Sequence, residues 1–599
     1  MFSEVLKARP LRELLLAPPY CPFPPTSDRA AWAALSEPKR AALRDLAAQY
    51  RGVDYPVLTA RRYMAFAETG DRAAWEAPYF LRRRKLIAAL MGVCVGEDDL
   101  GALTDGLWLV CEESTWVVSA HNGGEHAGVE PTPPVPLPDV ERPYVDLFAA
   151  QTAMILSLAV ALAGDALPPT VVRRVGREIE RRVLIPFETR DDFWWMGFIR
   201  KDLCNWTPWI VSNVMLTACT WIGDMDHLAA LLARACGMLD RYVDWLPADG
   251  GCDEGAGYWS MAGGALLDCL ELLSRVTGRR LTFWEDGKLR NLLRYPLSAW
   301  LGGEWFVNFA DCDAKPALPG ERLMYAGHVL KDPALAALGA GIAESPETLI
   351  GDTPQLWRLL KWAFCPAAAP SPADPPADVW LPDLEMRVMR RRGVALACKG
   401  GVNEGSHNHN DCGGFMLYVD NEPQIVDAGN MTYTGATFSD ARYTLWNTRG
   451  MYHNVPMVGT YEQVAGWDHR ARDVRRTGDG LALDIAGTYP PEAGVLSLRR
   501  TFALSDEGAL TLTDAATLAA PQSITEVFLL RCRPECRDGQ LISGAVAIRP
   551  SRPMAVEIGE VPVTDARMAK SFPGSLWRAT FTVPPAAAHE IAFRIEATP

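Results

Sequence analysis

Partway along this chain the spacing of its apolar residues changes, and no single fold class accommodates both patterns. From about residue 30 to 365, segments such as DLGALTDGLWLVCEESTW (99–116), PPTVVRRVGREIERRVLIPFE (168–188), TPWIVSNVMLTACTWIG (207–223) and DHLAALLARACGMLDRYVDWL (226–246) place apolar residues at i, i+3, i+4 and i+7. That spacing predicts amphipathic helices, and the short Gly, Asp or Pro turns between them predict antiparallel helix pairs. CPAAAPSPADPPAD (365–378) then supplies almost nothing for a core and reads as a linker. Beyond it the period falls to two in short runs such as GVALACKG, GGFMLYVD, PQIVDAG, LALDIAG, ALTLTDAATL, LWRATFTV and HEIAFRIEA. Alternation of this kind, punctuated by turn residues, predicts an antiparallel sandwich. With 599 residues the chain exceeds one core. The expected division is a helical domain over 1–364, a linker over 365–378 and an all-β domain over 379–599.

Composition narrows the function classes. A net charge of −14 argues against a broad nucleic-acid or membrane surface, and requires any anionic ligand to meet a locally basic or hydrogen-bonding site. The most apolar stretch, LFAAQTAMILSLAVALAG (147–164), contains Gln151, Thr152 and Ser157 and is short for a bilayer span, so it is expected to be a buried helix. The first residues, MFSEVLKARPLRELLLAPPY, carry charge throughout and no apolar signal core. The fourteen cysteines lie mostly inside apolar segments without a CxxC, as reduced core residues do. Both points lead to the expectation of a cytoplasmic protein.

Three places carry chemistry. Only nine histidines occur, yet His407 and His409 of GSHNHND (405–411) and His453 of MYHNVP fall within 47 residues, with Asp427 of PQIVDAG between them. If 407–409 is extended, both imidazoles leave one face. Two imidazoles and a carboxylate suit zinc or manganese. In RKDLCNWTPWIVSN (200–213), Asn205 precedes a helix; it is either an N-cap or an amide donor to a substrate carboxylate, with Trp206 beside it as a sugar-stacking surface. In DGGCDEGAGYWS (249–260), Tyr258 follows glycines that would let the backbone approach a ligand, or it is a structural tyrosine over the turn. Trp116 and His121 of EESTWVVSAH, the basic LRRRK (81–85) and Asp311 of NFADCD are further candidates for a groove that takes an anionic sugar, although LRRRK also reads as a solvated helix face.

The segments NWTPW, DEGAGY, GSHNHNDCGGFMLYVDNEPQIVDAG and HNVP together resemble the heparinase II/III-like superfamily of polysaccharide lyases, and they span both halves in the family's order. The resemblance implies an incomplete α/α toroid followed by an antiparallel β-sandwich. It implies β-elimination on a uronic-acid glycan of glycosaminoglycan or alginate type. Asn205 would neutralise the uronate carboxylate, Tyr258 would be the catalytic tyrosine and His407 would transfer a proton. His409, Asp427 and His453 would hold one divalent metal in a structural role, zinc before manganese. An anionic oligosaccharide or polysaccharide would be the partner, without nucleic acid or membrane, and a homo-oligomer is compatible with the family. The chain departs from the pattern at Trp206, where many relatives have histidine. A second tyrosine used by relatives could be Tyr433 or Tyr443. Most characterised relatives are exported.

Two other enzyme classes fit parts of the sequence. A glycoside hydrolase on a helical toroid would need paired carboxylates, which Glu112, Glu113, Asp253, Glu254 and Asp311 could supply. A cupin-type oxygenase also uses HxH on a β scaffold, but usually with a glutamate about four residues on; here position 413 is Gly, and the helical half would be unexplained.

Overall fold

The computed structural model describes residues 1–598 apart from 98, 124–134, 352, 367–373, 405–406 and 440. The chain forms two compact units: Met1–Leu246, Met261–Glu285 and Pro319–Ser371 in the first, and Pro247–Ser260, Asp286–Leu318 and Pro372–Pro599 in the second. One unit boundary, between Ser371 and Pro372, falls inside the linker expected over 365–378, half of which, 367–373, lies outside the described residues. Two stretches from the helical half belong to the second unit, and hydrogen bonds fasten them there. Asp383 accepts from the backbone N–H groups of Ala248 and Asp249 (2.8 and 3.1 Å), while Asp249 accepts from that of Asp383 (2.7 Å). The Arg567 guanidinium grips the Asp313 carboxylate through two contacts (2.9 and 3.0 Å).

In the helical unit, Leu147–Ala163 packs on Trp206–Trp221, which in turn packs on Met225–Trp245 and Gly263–Val276. Leu147–Ala166, which contains this helix, is the one described helical span long and apolar enough to cross a membrane, and most of it is buried inside the protein. Its start is fixed by Asp146, whose carboxylate accepts from the N–H groups of Phe148 (3.1 Å) and Ala149 (2.7 Å), filling donors that a helix leaves unpaired. The interior also holds charge: Asp268 and Glu271 meet Arg322, Arg358 and Lys361 at 2.5–3.2 Å, all nearly inaccessible. Removing one member of such a network would strand its partner, at about 3–5 kcal/mol.

In the second unit, Asp378–Leu381, Met386–Arg391, Val394–Lys399, Phe415–Val419 and Glu422–Ile425 pair in turn as antiparallel neighbours. The hairpin between the last two turns at Asp420 and Asn421, both at positive φ (50° and 64°), the backbone that favours Asn and Asp in two-residue turns. Leu510–Leu530 joins this series at the Leu530–Ile425 pair and runs along Ser575–Ala597, with bulges between Thr517 and Ile524. Its first half alternates buried Leu510, Leu512, Asp514 and Ala516 with more exposed neighbours, as period two demands. Phe415, Phe502, Phe528, Phe581 and Phe593 fill the core with mainly edge-on ring contacts.

Candidate active site

Tyr258, Asp311, His407, His409, Asp427, Tyr433 and His453 all belong to the second unit. The 308–312 segment is the hinge of the arrangement. Gly255 (φ 83°) and Gly429 (φ 62°) both lie against it: a Cβ on Gly255 would come within 2.6 Å of the Cys312 Cβ, and one on Gly429 would strike the Cys312 carbonyl. Of the glycines before Tyr258, Gly255 thus serves close approach to the Cys312 side chain. Tyr258 lies in the short helix Ala256–Trp259, which is anchored by the Trp259 indole N–H on the Leu292 carbonyl (2.7 Å).

Around this hinge the side chains form a continuous polar chain. Tyr258 Oη is 2.5 Å from Tyr433 Oη, and Tyr433 Oη is 3.2 Å from His407 Nδ1. His407 Nδ1 is 3.0 Å from Asp311 Oδ2, and Asp311 Oδ1 is 3.0 Å from His409 Nε2 and 2.9 Å from the Arg442 guanidinium. Burial raises the Asp311 carboxyl, but the two imidazoles and Arg442 outweigh it and hold the group well below the usual carboxylate range. Burial, then the neighbouring Tyr433, pushes the Tyr258 hydroxyl well above an ordinary tyrosine. Burial likewise raises Tyr433.

His409 and His453 are fully buried, Asp427 is 1% exposed, and one donor atom from each lies within 4.8 Å of the others. His453 Nδ1 is 2.8 Å from Asp427 Oδ2, and the other Asp427 oxygen accepts from the Gly429 N–H (2.9 Å). The remaining ring nitrogens, His409 Nδ1 and His453 Nε2, have no hydrogen-bond partner. A buried unsatisfied polar atom costs about 1–3 kcal/mol, and two imidazoles that each carry one, grouped with a carboxylate, fit a divalent cation. Burial lowers His409 despite Asp311, which favours the neutral imidazole a metal requires. Asp411 sits outside this triad and pairs with Lys399 (2.6 Å).

Several expectations change. His407 has φ 60° and no strand runs through 407–409, so the two imidazoles do not share a strand face; they meet through Asp311. Asp311, expected as a groove residue, is the carboxylate joining them. Of the two tyrosines left open, Tyr433 joins the cluster, while Tyr443 stands beside Asn408. In the helical unit, Asn205 is buried at the start of Trp206–Trp221 but makes no side-chain cap. Trp206 packs at 4.6 Å from the His121 ring and 5.2 Å from Trp194. His121 is largely buried, hydrogen-bonded to Asp146 (2.7 Å) and stacked on Phe148, so it buttresses Trp206 and offers little surface of its own. Trp116 is 1% exposed, with its N–H on the Val110 carbonyl and Arg182 over its ring, which makes it a core residue and not a sugar platform. In LRRRK, Arg82, Arg83 and Lys85 are buried; both arginines hold Glu113 (2.8 and 2.7 Å), so the segment is neither groove nor solvated face. Glu113 is thus taken up by two arginines, and Asp311 by two imidazoles and Arg442, so neither is placed as one of a hydrolase's facing carboxyl pair. Arg442, Asn430 and Arg567 were missed: only their folded neighbours distinguish them from ordinary polar residues.

Residues 373–559 match the family Heparinase II/III-like, C-terminal. This stretch is a heparinase II/III-like C-terminal domain. Solved structures similar to this chain include heparinase III (11% identity over 95% of this chain and 94% of that one, TM-score 0.62). They also include a heparan sulfate lyase mutant from Pedobacter heparinus (13%, 94% and 88%, TM-score 0.58). A chondroitin AC lyase mutant from Streptomyces coelicolor is similar too (12%, 93% and 82%, TM-score 0.50). At these identities the likeness establishes the fold, an incomplete α/α toroid followed by an antiparallel β-sandwich. No curated protein matches this chain by sequence.

Proposed function

We propose that the protein is a polysaccharide lyase that cleaves uronic-acid-containing glycans by β-elimination. The observation that carries this reading is the chain Tyr258–Tyr433–His407–Asp311, a tyrosine held protonated beside an imidazole oriented by a buried carboxylate. The family match and the lyases of the same fold support it.

The chemistry removes the C5 proton, alpha to the carboxylate, and expels the oxygen at C4. While that carboxylate is fully charged, the C5 proton is far too weakly acidic. In this reading the Asn205 amide donates to it, so that charge can build on an enolate-like group. His407 takes the proton. Because Nδ1 faces a carboxylate and carries the hydrogen, Nε2 is the basic nitrogen. Tyr258 is the acid: a hydrogen bond between two hydroxyls uses one of their two protons, and the other can pass to the leaving oxygen. The raised Tyr258 hydroxyl suits this role at neutral pH better than that of a base. In the same reading His409, Asp427 and His453 hold zinc or manganese, which when bound cross-links three loops and fixes His409. Trp206 offers a stacking face to the sugar.

The substrate class in this reading is an anionic oligosaccharide or polysaccharide, and the location is the cytoplasm, where fourteen free thiols stay reduced. The test is a panel of hyaluronan, chondroitin, heparan and alginate oligomers followed by ultraviolet absorbance. A C4–C5 double bond absorbs there and a hydrolysis product does not. Absorbance growing with one glycan supports the proposal; cleavage without absorbance refutes it.

A further inference from the structure

One carboxylate in the second unit meets two imidazoles at different ring nitrogens. Asp311, 2% exposed, meets His407 at Nδ1 and His409 at Nε2, each at 3.0 Å and each through a different oxygen. Its position is defined from several sides. Arg442 contacts Oδ1 at 2.9 Å and also holds the Asn408 carbonyl, between the two histidines, at 2.9 and 3.0 Å. The Asp311 backbone N–H donates to the His407 carbonyl (3.1 Å), and its own carbonyl accepts from Asn430 (3.0 Å), whose amide reaches Tyr433 as well (3.4 Å). Ala310 and His407 both adopt left-handed backbone (φ 62° and 60°), a strained conformation for residues other than glycine that persists where surrounding contacts demand it.

A carboxylate only accepts hydrogen bonds, so each nitrogen facing it carries a proton. On His407 this leaves Nε2 as the lone-pair nitrogen; on His409, which is grouped with His453 and Asp427 within 4.8 Å, it leaves Nδ1, a buried nitrogen without a hydrogen-bond partner. We propose that Asp311 is a positioning residue that sets the tautomers of both histidines at once, making one a base at Nε2 and the other a metal ligand at Nδ1. This deepens the lyase reading and rests on it for the role of His407. The metal triad and the proton-transfer residue are then coupled through one side chain: an amide at 311 presents one acceptor and one donor, and can satisfy only one of the two imidazoles.

The test uses full-length protein with ¹⁵N-labelled histidine, loaded with zinc, and reads ring tautomers by long-range ¹H–¹⁵N correlation. In the native protein His407 should show its lone pair at Nε2 and His409 should bind through Nδ1; the opposite tautomer at either ring overturns the proposal. Asp311→Asn should weaken zinc, measured against a chromophoric chelator, by about 10–100-fold, and lower kcat by about 10²–10⁴-fold with KM within about threefold. At least one ring should also change tautomer. A variant that keeps both tautomers and native zinc affinity refutes the idea, and so does one whose losses merely track its unfolded fraction. If Asp311→Asn does not fold, the native tautomers decide alone. Since tautomers and zinc binding need no substrate, they judge Asp311 even if the native protein proves not to be a lyase; if it binds no zinc, the His407 tautomer still judges it.

Discussion

Replacing Tyr258 by Phe removes a single oxygen from the proposed acid and leaves the ring in place. The lost hydroxyl contacts Tyr433 Oη at 2.5 Å. Tyr433 keeps His407 Nδ1 at 3.2 Å and Asn430 at 3.4 Å, so its hydroxyl oxygen retains two contacts. The stability cost should be that of one hydrogen bond, about 1 kcal/mol, which in a unit of this size moves the melting temperature by no more than about 2 °C. Loss of a general acid should lower kcat by about 10²–10⁴-fold, or roughly 3–5 kcal/mol of barrier. KM should stay within about threefold, because the hydroxyl acts in the transition state and not in uniform binding. Tyr433→Phe is the control. It removes the same partner atom from the pair but leaves the acid, and should cost only about tenfold. Initial rates on the cleaved glycan, with melting curves of each variant, make the comparison. If Tyr258→Phe keeps more than about a third of native kcat, or if Tyr433→Phe is the more damaging, the assignment of the acid is wrong.

Three further outcomes are expected. Chelating the metal should lower the melting temperature by about 5–10 °C and abolish turnover, and His453→Ala should remove the chelator's effect; lost turnover with unchanged melting would contradict a structural metal. Asp146→Ala removes both capping bonds of Leu147–Ala163 and the His121 contact, and should cost about 1–3 kcal/mol in urea unfolding, with Asp146→Asn recovering much of it. Glu344 accepts the Glu321 N–H (2.7 Å), and burial pushes its carboxyl from 4.5 to about 7. The folded chain therefore holds a proton that the unfolded chain releases, and stability should fall as pH rises from about 4.5 to about 7, by on the order of 3 kcal/mol. Glu344→Gln should flatten that slope, and an unchanged slope would rule out Glu344 as its source.

The class of each half was legible because period alone separates a helix that buries one face from a strand that buries alternate residues, as Leu510–Leu518 does. The candidate triad could be picked out because histidines are rare here, and the structure brings one donor atom each of His409, Asp427 and His453 within 4.8 Å of one another. What spacing could not show is contact between distant segments. Asp311 lies 96 residues from His407, and Tyr258 lies 175 from Tyr433; both approaches depend on a hinge at Cys312 that only the folded backbone reveals. Buried charge misled in the same way. Arg82 and Arg83 read as solvated or substrate-facing until Glu113 was found beneath them. Trp116 looked like a platform because an aromatic residue in a sequence carries no mark of its burial.

The central claim, elimination, is tested most directly by following oxygen. Glycan cleaved in H₂¹⁸O should yield products that carry no ¹⁸O at the new ends and that sum to the mass of the starting chain, with an unsaturated uronate at one new terminus. One ¹⁸O per cleavage and two saturated ends would mean hydrolysis, and would contradict the roles given to Asn205, Tyr258 and His407 together.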